Sequence, residues 1–345
     1  MKVLVTGNKG YIGSVLVQCL LDNSYEVVGY DTDFYKNNFL YPYKPEIKQI
    51  IKDTRHCTID DLKSVDAVIH LAALSNDPLG ELNPNLTLDI NYGATMRIAT
   101  LAKQAGVKRF VYGSSQSMYG ISNTDNELDE DNSEKNPLTA YAKTKWDAEL
   151  ELNKLSDDQF IVTSFRPSTV FGASPKLRTD IVFNNLVACA YTTGKIEIKS
   201  DGTPWRPVIH VQDVSNAFIS GLEAPAELIQ KQGFNVGILN GNYTVKDLAE
   251  AAQRAVPGSE LTFTNEHGSD ARTYRVSFHK ILTTLKDYYK PQWDLNKGGK
   301  ELVELFQNVN FKEEDFRGSK TVRLKSIRHL LNNKQIDNNL FWISK

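Results

Sequence analysis

The chain has 345 residues, with 40 Lys and Arg against 42 Asp and Glu and a formal net charge of -2. That length exceeds the usual single domain, so two lobes are expected. A near-zero net charge without a long basic or acidic run gives no support for nucleic-acid or membrane-surface binding, and no apolar run is long enough for a membrane span.

Lys2–Thr6 (KVLVT) is a short β-branched run and reads as a buried parallel strand, so the start of the chain is expected to be core rather than a cleavable signal. Gly7, Gly10 and Gly13 follow at once, and residues 11–21 have the apolar spacing of a helix. Strand, glycine loop and helix is the arrangement that holds a dinucleotide pyrophosphate. Gly7 permits the sharp turn, Gly10 lets the backbone approach the phosphates, and Gly13 lets the helix pack on the strand. The spacing is G-x-x-G-x-x-G rather than the commonest G-x-G-x-x-G.

Residues 25–30 (YEVVGY) form a second strand ending at Asp31. A carboxylate at that tip is placed to accept hydrogen bonds from the adenosine ribose and to repel a 2′-phosphate, which argues for NAD over NADP. Asp33 adds negative charge, whereas Lys9 in the glycine loop pulls toward an extra phosphate. The plain alternative for Asp31 is a turn or N-cap role.

A third strand is expected at 47–51, leading to Asp53 and Thr54, and a fourth at 66–74 (DAVIHLAAL), whose Ala72 and Ala73 leave room over the strand end. Residues 86–105 have helical periodicity with Asn91 as the one buried-looking amide. A fifth strand at 108–113 ends in Ser114, Ser115, Gln116 and Ser117. Residues 123–136 read as a polar loop, 138–155 as a helix and 160–165 as a sixth strand. This alternation predicts an α/β, Rossmann-like doubly wound parallel sheet with a smaller C-terminal lobe, ligands lying at the carboxyl ends of the strands. After Arg166 prolines and glycines punctuate the chain. Residues 208–218 return to strand-then-helix character and are expected to rejoin the first lobe, while 243–255 and 278–287 are helical. Short helices and turns are expected beyond. Cys19, Cys57 and Cys189 are few, scattered and outside metal-ligand spacing, so reduced thiols in a cytoplasmic protein and no metal are expected.

Tyr141 and Lys145 lie at i and i+4, on one helix face. An ammonium beside a phenol stabilises phenolate and lowers its pKa. Such a phenolate can remove a proton from a substrate hydroxyl while hydride leaves the same carbon, and Ser115 can hydrogen-bond that oxygen. Taken alone the pair is common on exposed amphipathic helices. Its weight comes from the serine-ended strand and the dinucleotide loop before it.

The chain resembles the extended short-chain dehydrogenase/reductases, in the NAD-dependent epimerase/dehydratase branch acting on nucleotide sugars. The matching stretches are GNKGYIG at 7–13, Asp31, HLAA at 70–73, SSQSMYG at 114–120, YAKTK at 141–145, RPSTVFG at 166–172 and WRPVIHVQDV at 205–214. The resemblance implies Ser115, Tyr141 and Lys145 as the catalytic trio. It implies Gly7, Gly10, Tyr11, Ile12, Gly13, Asp31, Asn91, Tyr141 and Lys145 as coenzyme contacts, Asp53 and Thr54 beside the adenine, Leu71, Ala72 and Ala73 beside pyrophosphate and ribose, and Pro167 near the nicotinamide. Asn185 and Arg206 would hold the substrate diphosphate, with Ser115, Gln116 and Thr169 also facing substrate. Arg272 would be a second diphosphate contact or a surface salt bridge. Dehydratase members carry an Asp-Glu pair where this chain has Gln116 and Ser117, which disfavours water elimination. Thr169 stands where many members have Asn.

The implied activity is nucleotide-sugar epimerisation at C4 through a 4-keto intermediate with NAD. The alternatives are a 4-dehydrogenase or 4-keto reductase, and a non-catalytic dinucleotide sensor. The implied division is residues 1–166 with about 206–235 as the NAD-binding domain, and about 167–205 with 236–345 as the sugar-nucleotide lobe and its C-terminal extension. That extension would line the substrate cleft or a subunit contact. A homodimer through the helices at 86–105 and 138–155 is expected by analogy.

Overall fold

Twelve strands occur among the described residues. In chain order they are β1 (Lys2–Thr6), β2 (Glu26–Asp31), β3 (Lys48–Ile51), β4 (Ala67–His70), β5 (Arg109–Gly113), β6 (Ile161–Pro167), β7 (Thr169–Phe171), β8 (Lys195–Ile198), β9 (Trp205–His210), β10 (Gln232–Val236), β11 (Asn242–Thr244) and β12 (Glu260–Phe263). The computed structural model describes residues 1–121, 126–264, 266 and 273–343. Seven of the strands form one parallel sheet in the order β3-β2-β1-β4-β5-β6-β10. Val3 of β1 stands beside Val27 on one side and Ala67 on the other. The strand order reverses between β1 and β4, and that point opens a crevice at the strands' carboxyl ends.

The longer helices are α1 (Tyr11–Asp22), α2 (Ala94–Gln104), α3 (Ala140–Leu155), α4 (Val182–Thr193), α5 (Val211–Glu223), α6 (Val245–Ala255), α7 (Leu295–Asn308) and α8 (Arg323–Asn332). Both faces of the main sheet are covered, which is why its strands are apolar almost throughout. On one face Val3, Val5 and Phe165 pack with Leu16, Leu20, Val214 and Phe218 from α1 and α5. On the other, Leu4, Val68, Phe110 and Tyr112 pack with Ile98 and Leu152 from α2 and α3.

Two small sheets, β11-β9-β7 and β12-β8, stand apart. The segment expected to rejoin the first lobe divides at His210. Its strand β9 joins the smaller three-stranded sheet, and the His210 side chain then caps α5 by accepting from the Gln212 N–H. Helix α5 returns to the main sheet, where Phe218 meets Phe165 edge-on.

The helix expected at 86–105 is not continuous. A short helix at Pro84–Leu88 runs into one π-helical turn, Asp89–Gly93, before α2 begins. Asn91 sits in that wider turn. The tail builds a third apolar cluster, in which Ile327, Leu330, Ile336 and Leu340 pack on Leu74, Leu79, Leu86 and Ile90.

Candidate active site

One cleft of about 820 Å³ lies over the carboxyl ends of the main sheet. Its coenzyme half starts at the glycine loop. Gly7 has φ +73°, and a Cβ there would come within 2.9 Å of the Ala72 nitrogen. A Cβ on Gly13 would sit 2.1 Å from the Gly7 carbonyl oxygen, so only glycine lets α1 start this close to β1. No side chain caps α1 at Gly10 and no acidic residue sits in its first turn, which leaves the positive helix end for an anion.

Asp31 ends β2 in this cleft. Its Oδ2 accepts from the Lys9 N–H at 3.0 Å and its Oδ1 from the Asp33 N–H at 2.8 Å. Burial raises its pKa, and those two amides pull it back down. Lys9 is turned away from the role of phosphate ligand, since its Nζ lies 2.6 Å from Asp33 Oδ2. The glycine-loop cation is thus neutralised beside the Asp31 carboxylate. Asp53 lines the cleft edge but is committed to Arg55, whose Nε and Nη2 meet its two oxygens at 2.9 and 2.8 Å. Thr54 is buried beside it.

The reactive half is built from the end of β5 and the start of α3. Thr139 caps α3 by accepting from the Ala142 N–H, and its own hydroxyl donates to Asp77 Oδ1 at 2.6 Å. The first two turns of α3 carry Tyr141 and Lys145 into the cleft, where Ser115 also lies. Ser115 Oγ is 2.9 Å from Ser117 Oγ. Lys145 is buried, donates from Nζ to the Gly113 carbonyl at 2.7 Å, and sits 4.8 Å from the Tyr112 ring centroid.

The depressed Tyr141 pKa expected from its lysine neighbour is absent. Burial raises the phenol, a hydrogen bond with Ser115 and the charge of Arg178 lower it, and Asp77 and Tyr274 raise it. Burial also pushes Lys145 down to about 7. Desolvation outweighs the pairing because the Lys145 ammonium is aimed at the Gly113 carbonyl.

A buried ion pair underpins this corner. Arg166 Nη2 meets Glu149 Oε1 at 2.6 Å, Ser114 Oγ donates to Glu149 Oε2 at 2.6 Å, and Arg166 Nη1 donates to the Tyr119 hydroxyl at 3.1 Å. Gln116 donates from Nε2 to the Arg166 carbonyl at 3.0 Å, while its buried Oε1 has no hydrogen-bond partner among the described residues.

The model of the NAD dependent epimerase/dehydratase family matches residues 3–237. The chain belongs to that family. A UDP-glucuronate 4-epimerase of Thermodesulfobacterium geofontis is 26% identical over 340 residues, spanning 93% of this chain and 99% of the relative. A UDP-glucose 4-epimerase of Bacillus subtilis strain 168 is 30% identical over 295 residues, spanning 76% of this chain and 84% of the relative. Among solved structures, MoeE5 in complex with UDP-glucuronic acid and NAD superposes with a TM-score of 0.75 at 26% identity, covering 89% of this chain and 99% of that one.

The coenzyme half fits the NAD of this epimerase/dehydratase family. The glycine cradle, the uncapped α1 terminus and the Asp31 carboxylate stand together in the cleft with Tyr11, Ile12, Leu71, Ala72 and Ala73. Tyr11 is fixed there by donating to the Gly172 carbonyl at 2.8 Å. Pro167, Thr169, Asn185, Arg206 and Gln116 line the same space. Asn185 donates to the Thr179 carbonyl at 2.8 Å, and Arg206 Nη1 to the Trp205 carbonyl at 2.8 Å. Arg272 lies outside the described residues.

Asn91 does not line the cleft. It is fully buried, its Oδ1 accepts from the Leu74 N–H at 2.8 Å and its Nδ2 donates to the Leu74 carbonyl at 3.2 Å, so it shapes the loop after β4. Sequence reasoning missed Arg178 and Asp180, which pair at 2.9 Å in the cleft wall, and the tail residues Val322, Arg323 and Leu324. The charged residues at every second position of KLRTD at 176–180 were the only local signal for the first pair.

Proposed function

We propose that this protein is an NAD-dependent nucleotide-sugar 4-epimerase. The observation that carries this reading is the gathering of Ser115, Tyr141 and Lys145 in the same cleft as the glycine cradle and the Asp31 carboxylate. NAD, when bound, supplies an acceptor for the hydride on sugar C4 and returns it to that carbon. Tyr141 takes the proton of the C4 hydroxyl and returns it to the same oxygen, and the configuration inverts because the 4-keto sugar turns in the cleft and is reduced on its opposite face. Ser115 donates a hydrogen bond to the same oxygen, holding it as it changes from hydroxyl to carbonyl. Lys145 anchors the end of β5 and carries a positive charge that is easily gained or lost near neutral pH.

Gln116 and Ser117 favour epimerisation over elimination, because neither an amide nor a neighbouring hydroxyl exchanges protons readily near neutral pH. The free Gln116 Oε1 is instead suited to accept from a sugar hydroxyl. Arg206 and Asn185 support a diphosphate-linked substrate, since a planar guanidinium matches phosphate oxygens in pairs. The UDP-sugar activities named for the relatives make UDP-glucuronic acid and UDP-glucose the first candidates.

Incubating the NAD-loaded protein with UDP-, GDP-, CDP- and dTDP-sugars tests this. The expected result is a C4 epimer without net change in nicotinamide absorbance. A stoichiometric absorbance change would instead make it a dehydrogenase or reductase.

Two further proposals concern state and place. A homodimer through the helices at 86–105 and 138–155 is supported by exposed Leu88 and Leu150, at 49% and 41%. Light scattering on the eluting protein tests it. A cytoplasmic setting is supported by three free cysteines, and no helix among the described residues is long and apolar enough to cross a membrane.

A further inference from the structure

The C-terminal segment returns across the coenzyme half of the cleft. Trp342 donates from its indole nitrogen to the Thr32 carbonyl at 2.7 Å, just past the ribose-facing Asp31. Phe341 stacks on His56 with centroids 4.9 Å apart and lies 3.8 Å beneath the Arg55 guanidinium. Arg55 Nη2 also donates to the Asn339 carbonyl at 2.9 Å. Helix α8 packs Ile327 and Leu330 on Leu74 and Leu79 of the loop after β4. The tail thus spans from the end of β2 to the end of β4, over the strand ends where a dinucleotide lies.

Arg323 opens α8 and lines the cleft. It is only 2% exposed, and its Nη2 donates to the Lys176 carbonyl at 2.5 Å while its guanidinium lies 4.5 Å from the Tyr35 ring centroid. Its buried Nη1 has no hydrogen-bond partner among the described residues. A buried guanidinium with an open donor is costly to hold, and the cost falls when an anion arrives. Burial, joined by the nearby Arg178 charge, pushes Arg323 down to about 10, the Tyr35 phenol and the charges of Asp180 and Asp31 working against it.

The neighbours decide which anion. Asp31 ends β2 and Tyr35 lies in the loop after it, and Lys176 next to Arg323 feels the charges of Asp33, Asp31 and Lys9. Asp31 and Tyr35 line the cleft together with the glycine cradle, and Lys9 belongs to the cradle's loop. The groups offered above to the sugar nucleotide, Asn185 and Arg206, come from α4 and β9.

We propose that residues 319–342 form a strap over the bound coenzyme and that Arg323 donates from Nη1 to the coenzyme's diphosphate. This rests on the coenzyme half holding NAD, as proposed above. A planar guanidinium fork in the same cleft as the α1 terminus adds a second grip on a diphosphate held there. The strap adds a second set of contacts that must break before the dinucleotide leaves.

Binding titrations on full-length protein stripped of nucleotide test the assignment, using wild type, Arg323→Met and Arg323→Lys with NAD, ADP-ribose and adenosine. UDP is titrated separately against NAD-saturated protein. The expected result for Arg323→Met is a Kd for NAD and for ADP-ribose weakened roughly ten- to hundredfold, with adenosine and UDP unchanged. Arg323→Lys, which keeps charge and most of the volume, falls between. If the Met variant fails to unfold cooperatively, the Lys variant carries the same comparison. An unchanged Kd for NAD, an equal loss for adenosine, or a loss confined to UDP would each overturn the proposal. Wild-type protein that binds no NAD would remove the coenzyme reading itself, and this proposal with it.

Discussion

Arg166 and Glu149 tie β6 to α3, the helix that carries Tyr141 and Lys145. The guanidinium on β6 meets the carboxylate on α3 at 2.6 Å, and that carboxylate also accepts from Ser114, one residue before Ser115. The pair is 4% and 2% exposed, so neither charge has water to fall back on. Glu149→Gln leaves the Arg166 charge uncompensated and is expected to cost about 3–5 kcal/mol. Urea unfolding measures it. Removing both charges, Glu149→Gln with Arg166→Met, should lose less than the two single changes added together. A single-variant loss below about 1 kcal/mol would show that the pair is not holding this corner.

Coenzyme choice follows from Lys9. Its ammonium is bound to Asp33, and with Asp31 in the proposed ribose-facing role a 2′-phosphate meets net negative charge. Changing Asp31 and Asp33 together to Ser frees Lys9 and removes the repulsion. The ratio of NAD to NADP affinity is expected to shift toward NADP by about tenfold or more, consistent with one charge-assisted hydrogen bond gained. An unchanged ratio would mean that the ribose hydroxyls are read elsewhere.

Lys145 gives a pH signature. Its folded pKa is about 7 against an unfolded value of 10.5. Between those values the unfolded chain binds more protons, so this group makes the nucleotide-free protein more stable as pH rises from 7 toward 10. Below 7 its contribution is flat, at its least favourable. Thermal unfolding of wild type against Lys145→Met should show wild type gaining relative to the variant across that window. A gain in the opposite direction would place the lysine in a charge-stabilising environment.

Asn91 should behave as a scaffold residue. Asn91→Ala leaves the Leu74 N–H and carbonyl without their partner in a buried site, at a cost of about 1–3 kcal/mol. Denaturant unfolding should register that loss, with only a minor change in NAD affinity. A large drop in NAD affinity at unchanged stability would show direct contact instead.

Much of the cleft was legible because its signals are local. The glycine triplet between a β-branched run and an amphipathic helix states its own geometry, and Tyr141 and Lys145 share a helix face by spacing alone. Three features were not local. The direction of the Tyr141 and Lys145 shifts depends on burial by distant elements and on the Gly113 carbonyl, which no spacing reveals. The π-helical turn at Asp89–Gly93 inserts no sequence marker into a stretch with helical periodicity. The tail's contacts join residues such as Trp342 and Thr32 across most of the chain, so its place over the cleft follows from tertiary packing. Strand β10 was also hidden, since QGFNV has glycine near its middle and no alternation, and it is held by pairing with β6.

The most direct measurement is turnover of NAD-loaded Tyr141→Phe against wild type on the sugar nucleotide the panel identifies, with bound NAD quantified on the same samples. The account predicts a rate lowered roughly a thousandfold with NAD content unchanged. Turnover close to wild type would contradict it, because some other group would then be moving the C4 proton.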